Sequence, residues 1–300
     1  MAILIDPPLW PAHGTMFSHL VSDASLEELH AFALAAGLPE RAFDRDHYDV
    51  PERRHAGLVE LGAVPVTATE LVRRLVRSGL RVPARQRPER LDPVLLDHWE
   101  RLLPGGSGVG EQLLGRWAEP HRHYHDRTHL MSVLRGIERL AGAGEPEGPF
   151  PRAVRLAAWF HDAVYEGVPG RDEEDSADLA AQLLGGAGLP AREVEETARL
   201  VRATASHRPE ADDAAARLLC DADLEVLGRD PAAYLRYADA VRRDYAHVED
   251  AAFRTGRAAV LRTLLAAPTL YSTPSARRWW ESAARRNLAD ELRRLEAPAG

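Results

Sequence analysis

Histidine residues are concentrated in one short stretch of the chain. Residues 120–130, PHRHYHDRTHL, hold four of the 13 histidines. His125 and His129 are four residues apart, so a helix would place both imidazoles on one face, about one turn apart. Such a pair can bind one metal ion, or one imidazole can bind while the other exchanges a proton. We expect His121 and His123 to lie off that face.

A second pair of ionisable residues, His161 and Asp162, follows an apolar segment. Residues 152–160, RAVRLAAWF, are apolar around most of the helix circumference, which predicts a buried helix. Ionisable groups at the end of a buried helix are costly unless they are paired or bound to a metal. A metal ion would satisfy both side chains, and a hydrogen-bonded pair within the core is the simpler alternative.

A third acidic element is CDADLEVLG, residues 220–228. Residues two apart on a helix point in roughly opposite directions, so Asp221 and Asp223 cannot both face one site. Asp221 shares its face with Arg217 and Glu225, whereas Asp223 shares its face with apolar residues. The pattern therefore predicts that Asp223 is the buried carboxylate and the metal ligand.

The elements that must position these residues are helices. From about residue 91 onward the apolar residues recur with helical period, and no strand-like alternation competes with them. Asp92-Pro93 and Asp230-Pro231 are typical helix starts, with Asp as N-cap and Pro at the first helical position. The predicted helices cover 93–103, 109–118, 127–141, 151–165, 174–185, 190–205, 212–227, 231–247, 249–266 and 274–295.

Residues 1–86 show a different pattern, in which short apolar runs alternate with helical segments. Ser25 and Thr67 each precede a glutamate by three residues, a capping-box signature. The Arg- and Pro-rich stretch 81–90 is typical of a linker. We therefore predict a mainly α protein in which a small α/β domain, residues 1–86, precedes an all-α domain, residues 91–300.

The helical part resembles the HD superfamily of metal-dependent phosphohydrolases, in which the order His, His-Asp, Asp recurs across helices. It is most similar to a bacterial group of predicted HD-type phosphohydrolases, and the resemblance covers about residues 91–295. The stretches that carry it are HRHYHDRTHL, FHDAVY, EEDSA, ATASH, CDADLEVLG and ARRNLADEL. The resemblance implies an all-α fold and a metal held by His129, His161, Asp162 and Asp223.

The stretch Tyr124 to His129 also resembles the Tyr-His-Asn-x-x-His motif of cyclic-nucleotide phosphodiesterases, a branch of that superfamily. In that motif the second histidine binds metal and the first acts as general acid. The resemblance implies that His129 is a ligand and that His125 is the catalytic acid. Asp126 stands where the motif has Asn.

Further residues are candidates for supporting roles. Glu173, Glu174, His207 and Asp221 could hold a second metal or a water near the first. Acidic residues in the first turn of a helix and a histidine at a helix C-terminus are also explained by the helix dipole. Arg122 could bind a phosphate with two hydrogen bonds, and an exposed surface arginine is the alternative.

The N-terminal segments IDPPLWPAHGTMFSHLVSD and FDRDHYDVP resemble a small domain family of unknown function. Their histidines and aspartates allow a second metal or nucleotide site. The alternative is an accessory domain in which these side chains serve turns and caps, and DRDHYD falls where we expect a loop. The residues concerned are Asp6, His13, His19, Asp23, Asp46, His47 and Asp49.

The predicted function is hydrolysis of a phosphate ester of a nucleotide or similar small molecule by metal-activated water. Two histidines and two carboxylates suit Mn, Fe, Co, Ni or Zn, and the number of ions is left open. One alternative is a ligand-sensing or interaction protein with a non-catalytic site. Another is a di-iron oxygenase of HD type, which would need extra ligands from His207, Glu173 or Glu174.

The amino-acid composition limits the kinds of partner that the protein is expected to bind. The 300 residues carry a net charge of -8 and no lysine, which disfavours binding to nucleic acid or anionic lipid. No apolar run approaches the roughly 18 residues of a membrane span. The single cysteine, Cys220, excludes an internal disulfide and fits a reducing cytoplasm. We expect a cytoplasmic enzyme with a small phosphorylated substrate, and the sequence does not fix the oligomeric state.

Overall fold

The computed structural model describes residues 2–82, 88–168 and 170–297. It contains two compact units, Met1–Ala84 and Arg85–Gly300. The fold-class prediction is confirmed, since a small sheet domain precedes a helical region. Of the predicted linker, residues 83–87 lie outside the described residues.

The N-terminal unit is built on a mixed sheet with the strand order β4-β5-β3-β1-β6, and β2 pairs with β3. The β1–β6 pair is parallel and the other pairs are antiparallel. The strands are β1 (Ile3–Ile5), β2 (Trp10–Ala12), β3 (Thr15–Ser22), β4 (Phe43–Asp44), β5 (His47–Pro51) and β6 (Val64–Pro65).

Three helices cover this sheet: α1 (Leu26–Ala35), α2 (Glu52–Glu60) and α3 (Ala68–Arg77). The predicted caps are present, because the side chains of Ser25 and Thr67 accept hydrogen bonds from the backbone of the third residue after each. Leu29 of α1 and Leu75 of α3 are buried in the same apolar core as Leu4 and Leu20 of the sheet. Burial of these faces packs the helices against the sheet.

The expected loop at DRDHYD is wrong. Phe43–Asp44 and His47–Pro51 pair as an antiparallel hairpin, and Arg45 occupies the turn with a φ of 63°. The sequence does alternate here, because Tyr48 and Val50 point into the core while His47 and Asp49 share the opposite face.

The described part of the C-terminal unit is helical. Its helices are α4 (Pro88–Leu102), α5 (Ser107–Arg116), α6 (Arg127–Gly142), α7 (Pro151–Phe160), α8 (Arg171–Gly186), α9 (Ala191–Ala203), α10 (Ala214–Asp223), α11 (Pro231–Asp244), α12 (Asp250–Ala266), α13 (Pro274–Ala276) and α14 (Ser282–Glu296). A 3-10 turn, Leu224–Gly228, follows α10, and a π-helical turn, Arg277–Glu281, joins α13 to α14. In the described ranges no helix is both long and apolar enough to cross a bilayer.

The two predicted boundaries that differ most from the structure are each wrong by five residues. Helix α4 begins at Pro88, so Pro93 lies inside the helix rather than at its first position. Pro93 has no amide hydrogen, so it cannot donate to the carbonyl four residues earlier, and α4 lacks that hydrogen bond in its N-terminal part. Helix α7 ends at Phe160 instead of continuing to residue 165.

Helix α7 is the centre of the core, as its apolar composition predicts. Seven of its ten residues are buried, including Trp159 and Phe160. Trp99 of α4 packs edge-on against Trp159 at 5.0 Å between ring centroids. The indole nitrogen of Trp117 donates to the Trp159 carbonyl at 3.0 Å, which satisfies both polar groups within the core.

Helices α6 and α10 approach each other closely at Gly136. A Cβ at this position would lie 3.0 Å from the Cβ of Ala222 and 3.2 Å from its Cα. These contacts are too short for an ordinary side chain, so glycine allows the two helices to pack backbone against backbone.

Candidate metal centre

His129 is positioned by the start of helix α6. The Asp126 side chain caps this helix, accepting hydrogen bonds from the backbone nitrogens of Thr128 at 2.7 Å and His129 at 3.3 Å. Aspartate is among the most favourable N-cap residues, so Asp126 fixes the start of the helix that carries His129. The prediction that His125 and His129 share a helix face is wrong, because His125 precedes the helix.

His161 and Asp162 lie where the buried helix α7 ends. The His161 amide bonds the Ala157 carbonyl at 2.8 Å, and its Nδ1 lies 2.9 Å from the Ala158 carbonyl. A carbonyl oxygen can only accept, so Nδ1 carries the proton. When this imidazole is neutral, it presents the lone pair of Nε2 to the interior, which is the form that binds metals.

Asp223 is the last residue of α10, and the predicted order of burial is wrong. Asp221 is the more buried of the two carboxylates, with 1% exposure. Its oxygens accept hydrogen bonds from the backbone nitrogens of Ser272 at 2.7 Å and Thr273 at 2.6 Å. Asp221 therefore anchors the loop before α13, and Asp223 is the carboxylate beside His129 and His161.

Three of the predicted ligands, His129, His161 and Asp223, form one compact group, and the fourth, Asp162, lies against its two imidazoles; together they are called the cluster. The Nε2 of His129 lies 3.1 Å from His161 Nε2, 3.0 Å from an Asp223 oxygen and 3.6 Å from an Asp162 oxygen. The Nε2 of His161 lies 3.1 Å from the same Asp162 oxygen and 3.5 Å from the same Asp223 oxygen. Donor atoms placed tetrahedrally at about 2.1 Å from an ion are roughly 3.4 Å apart, so this donor set fits a divalent ion.

The electrostatics of the cluster also favour a cation. Burial lowers the pKa of His129, which keeps its imidazole neutral. Burial acts against charge on His161 as well, but the Asp162 and Asp223 carboxylates outweigh it and raise the pKa of His161. Burial would raise the pKa of both carboxyls, yet the adjacent imidazoles hold them below the usual value. Two ionised carboxylates thus face one point that a proton or a metal ion must neutralise.

Arg122 is neither exposed nor available to a phosphate. Its guanidinium is buried and donates to the backbone carbonyls of Asp162 at 2.5 Å and Ala163 at 3.3 Å. Its Nε donates to Glu119 at 2.9 Å. The predicted phosphate contact is therefore wrong, since the guanidinium is buried and bonds both the turn that carries Asp162 and the Glu119 carboxylate.

His125 stands beside the cluster and is oriented by a residue that the sequence reasoning missed. Its Nδ1 lies 2.8 Å from a carboxylate oxygen of Asp244, the last residue of α11. Its ring stacks on Tyr165 at 4.1 Å and lies 5.7 Å from the ring of His129. The backbone nitrogens of His123 and Tyr124 also donate to Asp244.

Asp244 is ionised by these contacts. Burial would raise its pKa, but the hydrogen bonds from His125 and from the two backbone nitrogens lower it. A sequence signal for Asp244 existed, because an acidic residue at the C-terminal end of a helix is disfavoured by the dipole and needs a compensating partner.

Of the residues predicted to support the metal site, one contacts the cluster and two glutamates do not. His207 lies next to the cluster, with its Nε2 2.6 Å from the second oxygen of Asp223, and it follows α9 with a φ of 49° rather than ending the helix. Glu173 accepts from the Gly170 amide and caps α8, while the exposed Glu174 pairs with Arg202 at 2.7 Å. Glu173 thus fits the alternative of a helix N-terminal role, Glu174 forms a surface ion pair that the sequence did not predict, and neither contact involves the cluster.

The remaining two histidines of the 120–130 segment do not join the donor set. The Nε2 of His121 lies 3.2 Å from the Tyr165 carbonyl, and the side chain is half exposed. His123 contributes its backbone nitrogen to Asp244. Both lie off the cluster, as expected.

Comparison with known protein families finds one match, between residues 3–78 and DUF4031, a family of proteins of unknown function. This confirms the predicted resemblance of the N-terminal unit to a family of unknown function, and it covers about a quarter of the chain. No curated protein and no solved structure matches the chain. The resemblance of the helical unit to the HD superfamily stays a prediction.

Proposed function

We propose that the helical unit is a metal-dependent phosphohydrolase acting on a phosphate ester of a nucleotide or similar small molecule. The observation that carries the proposal is the group of His129, His161 and Asp223, with Asp162 against its two imidazoles and a carboxylate-oriented histidine, His125, next to it. This combination joins a Lewis-acid site to a proton donor, the two functions that ester hydrolysis at neutral pH requires.

The donor set indicates which ions would bind. Two imidazole nitrogens and two carboxylate oxygens, without thiolates, favour Mn, Fe, Co, Ni or Zn. When bound, such an ion would lower the pKa of water and polarise a phosphoryl oxygen. The second oxygen of Asp223 is held by His207, which fixes the orientation of the carboxylate.

His125 is the proposed general acid. Since its Nδ1 is bonded to Asp244, the Nε2 is the position from which it can give a proton to a leaving oxygen. Asp244 is ionised and buried, and its hydrogen bond with Nδ1 fixes the orientation of the imidazole. The stacking of Tyr165 on the imidazole restricts rotation of the ring.

The position of His207 gives a second candidate some support. A di-iron oxygenase needs more ligands than the four of the cluster, and His207 is the one additional candidate that contacts it. Glu173 and Glu174 are bonded elsewhere. Two irons per chain and oxygen-dependent turnover would favour this reading over hydrolysis.

The test is metal content and phosphate release by the full chain. Purified protein, reloaded with Mn²⁺, Fe²⁺, Co²⁺, Ni²⁺ or Zn²⁺, is incubated with a broad panel of nucleotides and other phosphate monoesters and diesters. Asp162→Ala should lose both metal and activity, and His125→Ala should lose activity alone. His121→Ala, a change at an exposed neighbour, is the matched control.

Two results would overturn the proposal. One is a fully loaded wild type that releases no phosphate from the panel and retains an intact ligand, which would favour a sensing protein. The other is equal activity in wild type and folded Asp162→Ala.

A further inference from the structure

The N-terminal sheet brings three potential ligands to one point on its surface. His19 on β3 is directly opposite Asp49 on β5 in the antiparallel register. His47 lies two residues before Asp49, so both side chains point to the same face of β5. The register therefore places His19, His47 and Asp49 side by side, although 28 residues separate the two strands' histidines in sequence.

The three side chains converge at the distances of a ligand set. An oxygen of Asp49 lies 3.4 Å from His47 Nε2 and 4.0 Å from His19 Nε2. One potential ligand atom from each residue lies within 4.8 Å of the other two. The imidazole rings stand nearly perpendicular with centroids 4.8 Å apart, so they approach without stacking.

Each histidine is oriented by its own carboxylate. The Nδ1 of His19 lies 3.0 Å from Asp6, and the Nδ1 of His47 lies 2.6 Å from Asp46. Both carboxylates are buried, with 1% exposure. A carboxylate that accepts from Nδ1 leaves Nε2 as the ligand atom and makes it more basic, an arrangement typical of metal-binding histidines.

The orienting carboxylates are themselves fixed. Asp6 also accepts from the His19 backbone nitrogen at 2.5 Å and from the Trp10 indole at 3.1 Å. Asp46 accepts from the Val82 backbone nitrogen at 2.5 Å and from Arg81 at 3.2 Å. Two buried charges with this many partners form a rigid support for the two imidazoles.

We propose that His19, His47 and Asp49 form a metal site for a divalent transition ion, separate from the cluster in the helical unit. Two histidines and one carboxylate leave coordination positions open for water or an external oxygen ligand. The site lies on the exposed side of the sheet, where Asp49 is 46% exposed, so such a ligand can reach it. The proposal is independent of the proposed hydrolase activity.

A proton is the alternative occupant. Burial acts against charge on His47, but Asp46 and Asp49 outweigh it and raise the pKa of His47 to about 9. A protonated His47 would satisfy both carboxylates as an ion-pair network without any metal. The experiment must therefore separate metal binding from a purely electrostatic network.

The test uses the full chain, stripped with a chelator and titrated with Zn²⁺ and Co²⁺ in competition with an indicator of known affinity. Asp49→Ala and His19→Ala should each remove one ion per chain, with at least about a 100-fold loss of affinity at that site. The visible spectrum of Co²⁺ should lose the corresponding component. His13→Ala, at an exposed histidine of the same unit, should bind as wild type does.

Asp162→Ala identifies the ion in the helical unit, so the two sites are counted separately. A single ion that is kept in Asp162→Ala and lost in Asp49→Ala supports the proposal even if the helical site proves empty. Unchanged binding in folded Asp49→Ala and His19→Ala overturns it, as does a single wild-type ion that is lost in Asp162→Ala. Should His19→Ala fail to fold, the half-exposed Asp49 still provides the decisive variant.

Discussion

His125 and Asp244 are joined through the His125 Nδ1 at 2.8 Å across 119 residues of sequence. The contact ties the segment before α6 to the last residue of α11. Since the backbone nitrogens of His123 and Tyr124 donate to the same carboxylate, one aspartate fixes both the main chain and the imidazole.

Replacing this carboxylate should damage proton transfer and leave the metal in place. We expect Asp244→Asn to lower kcat for phosphate release by about 10²- to 10⁴-fold, the range for loss of an oriented acid or base. Metal content should stay at the wild-type level, because the hydrogen-bond partners of Asp244 are His123, Tyr124 and His125 and not the four cluster residues. Asp250→Asn, at an exposed position, is the control, and an undiminished kcat in folded Asp244→Asn would contradict the role.

The two aspartates of α10 provide a matched pair. Asp223→Asn should abolish stoichiometric metal binding, since it removes one charged ligand from the cluster. Asp221→Asn should keep the metal but lower the free energy of unfolding by about 1–3 kcal/mol, because an amide cannot accept from both backbone nitrogens. Metal analysis and denaturant unfolding of both variants measure this, and loss of metal in Asp221→Asn would sink the assignment.

Arg122 should act through metal affinity rather than substrate affinity. A lysine cannot hold the carbonyls of Asp162 and Ala163 and bond Glu119 at the same time, so Arg122→Lys should loosen the turn. We expect metal binding to weaken by about 10- to 100-fold, with KM unchanged at saturating metal. Arg171→Lys on the exposed start of α8 is the control, and a raised KM with normal metal affinity would restore the phosphate-binding role.

Asp213 should make the stability of the helical unit sensitive to acid. Burial would raise its pKa, but the hydrogen bonds from Arg199 and from the Ala216 backbone nitrogen lower it. A lowered folded-state pKa means stability that is present above the unfolded value of 3.8 and is lost as the pH falls through the folded value. The stability gap between wild type and Asp213→Asn should therefore close below about pH 4.

Denaturant unfolding at several pH values checks this expectation. Asparagine is an equally good N-cap, so the substitution isolates the charge. Asp212→Asn, at the exposed neighbouring position, should change stability by less than about 0.5 kcal/mol throughout. If the stability difference between wild type and Asp213→Asn grew as the pH fell, the predicted direction of the pH dependence would be wrong.

Local signals in the sequence predicted much of the fold. Capping side chains at Ser25 and Thr67 and the apolar composition of α7 are local features, and each was found in place. The predicted helix boundaries are wrong where tertiary contacts decide where a helix ends. Helix α7 stops at Phe160 because His161 and Asp162 turn into the cluster, where their partners come from other helices.

The sequence predicts which residue types form the candidate site, but it predicts their contacts and burial less well. Helix faces predict Asp223 rather than Asp221 as the buried ligand, but this order of burial is wrong, because the loop at Ser272 supplies Asp221 with partners that no local pattern reveals. Asp244 and the role of Arg122 depend on contacts between distant segments. The β5 hairpin was missed because its alternation places polar residues, His47 and Asp49, where strands more often carry neutral ones.

The close approach at Gly136 couples helix packing to the candidate metal centre. Gly136 lies about two turns beyond His129 on α6, and it packs against Ala222, the neighbour of Asp223. A methyl group at 136 would require the neighbouring residue to shift by a few tenths of an ångström. A residue without a side chain, outside the donor set, thus sets how closely the segments that carry His129 and Asp223 approach each other.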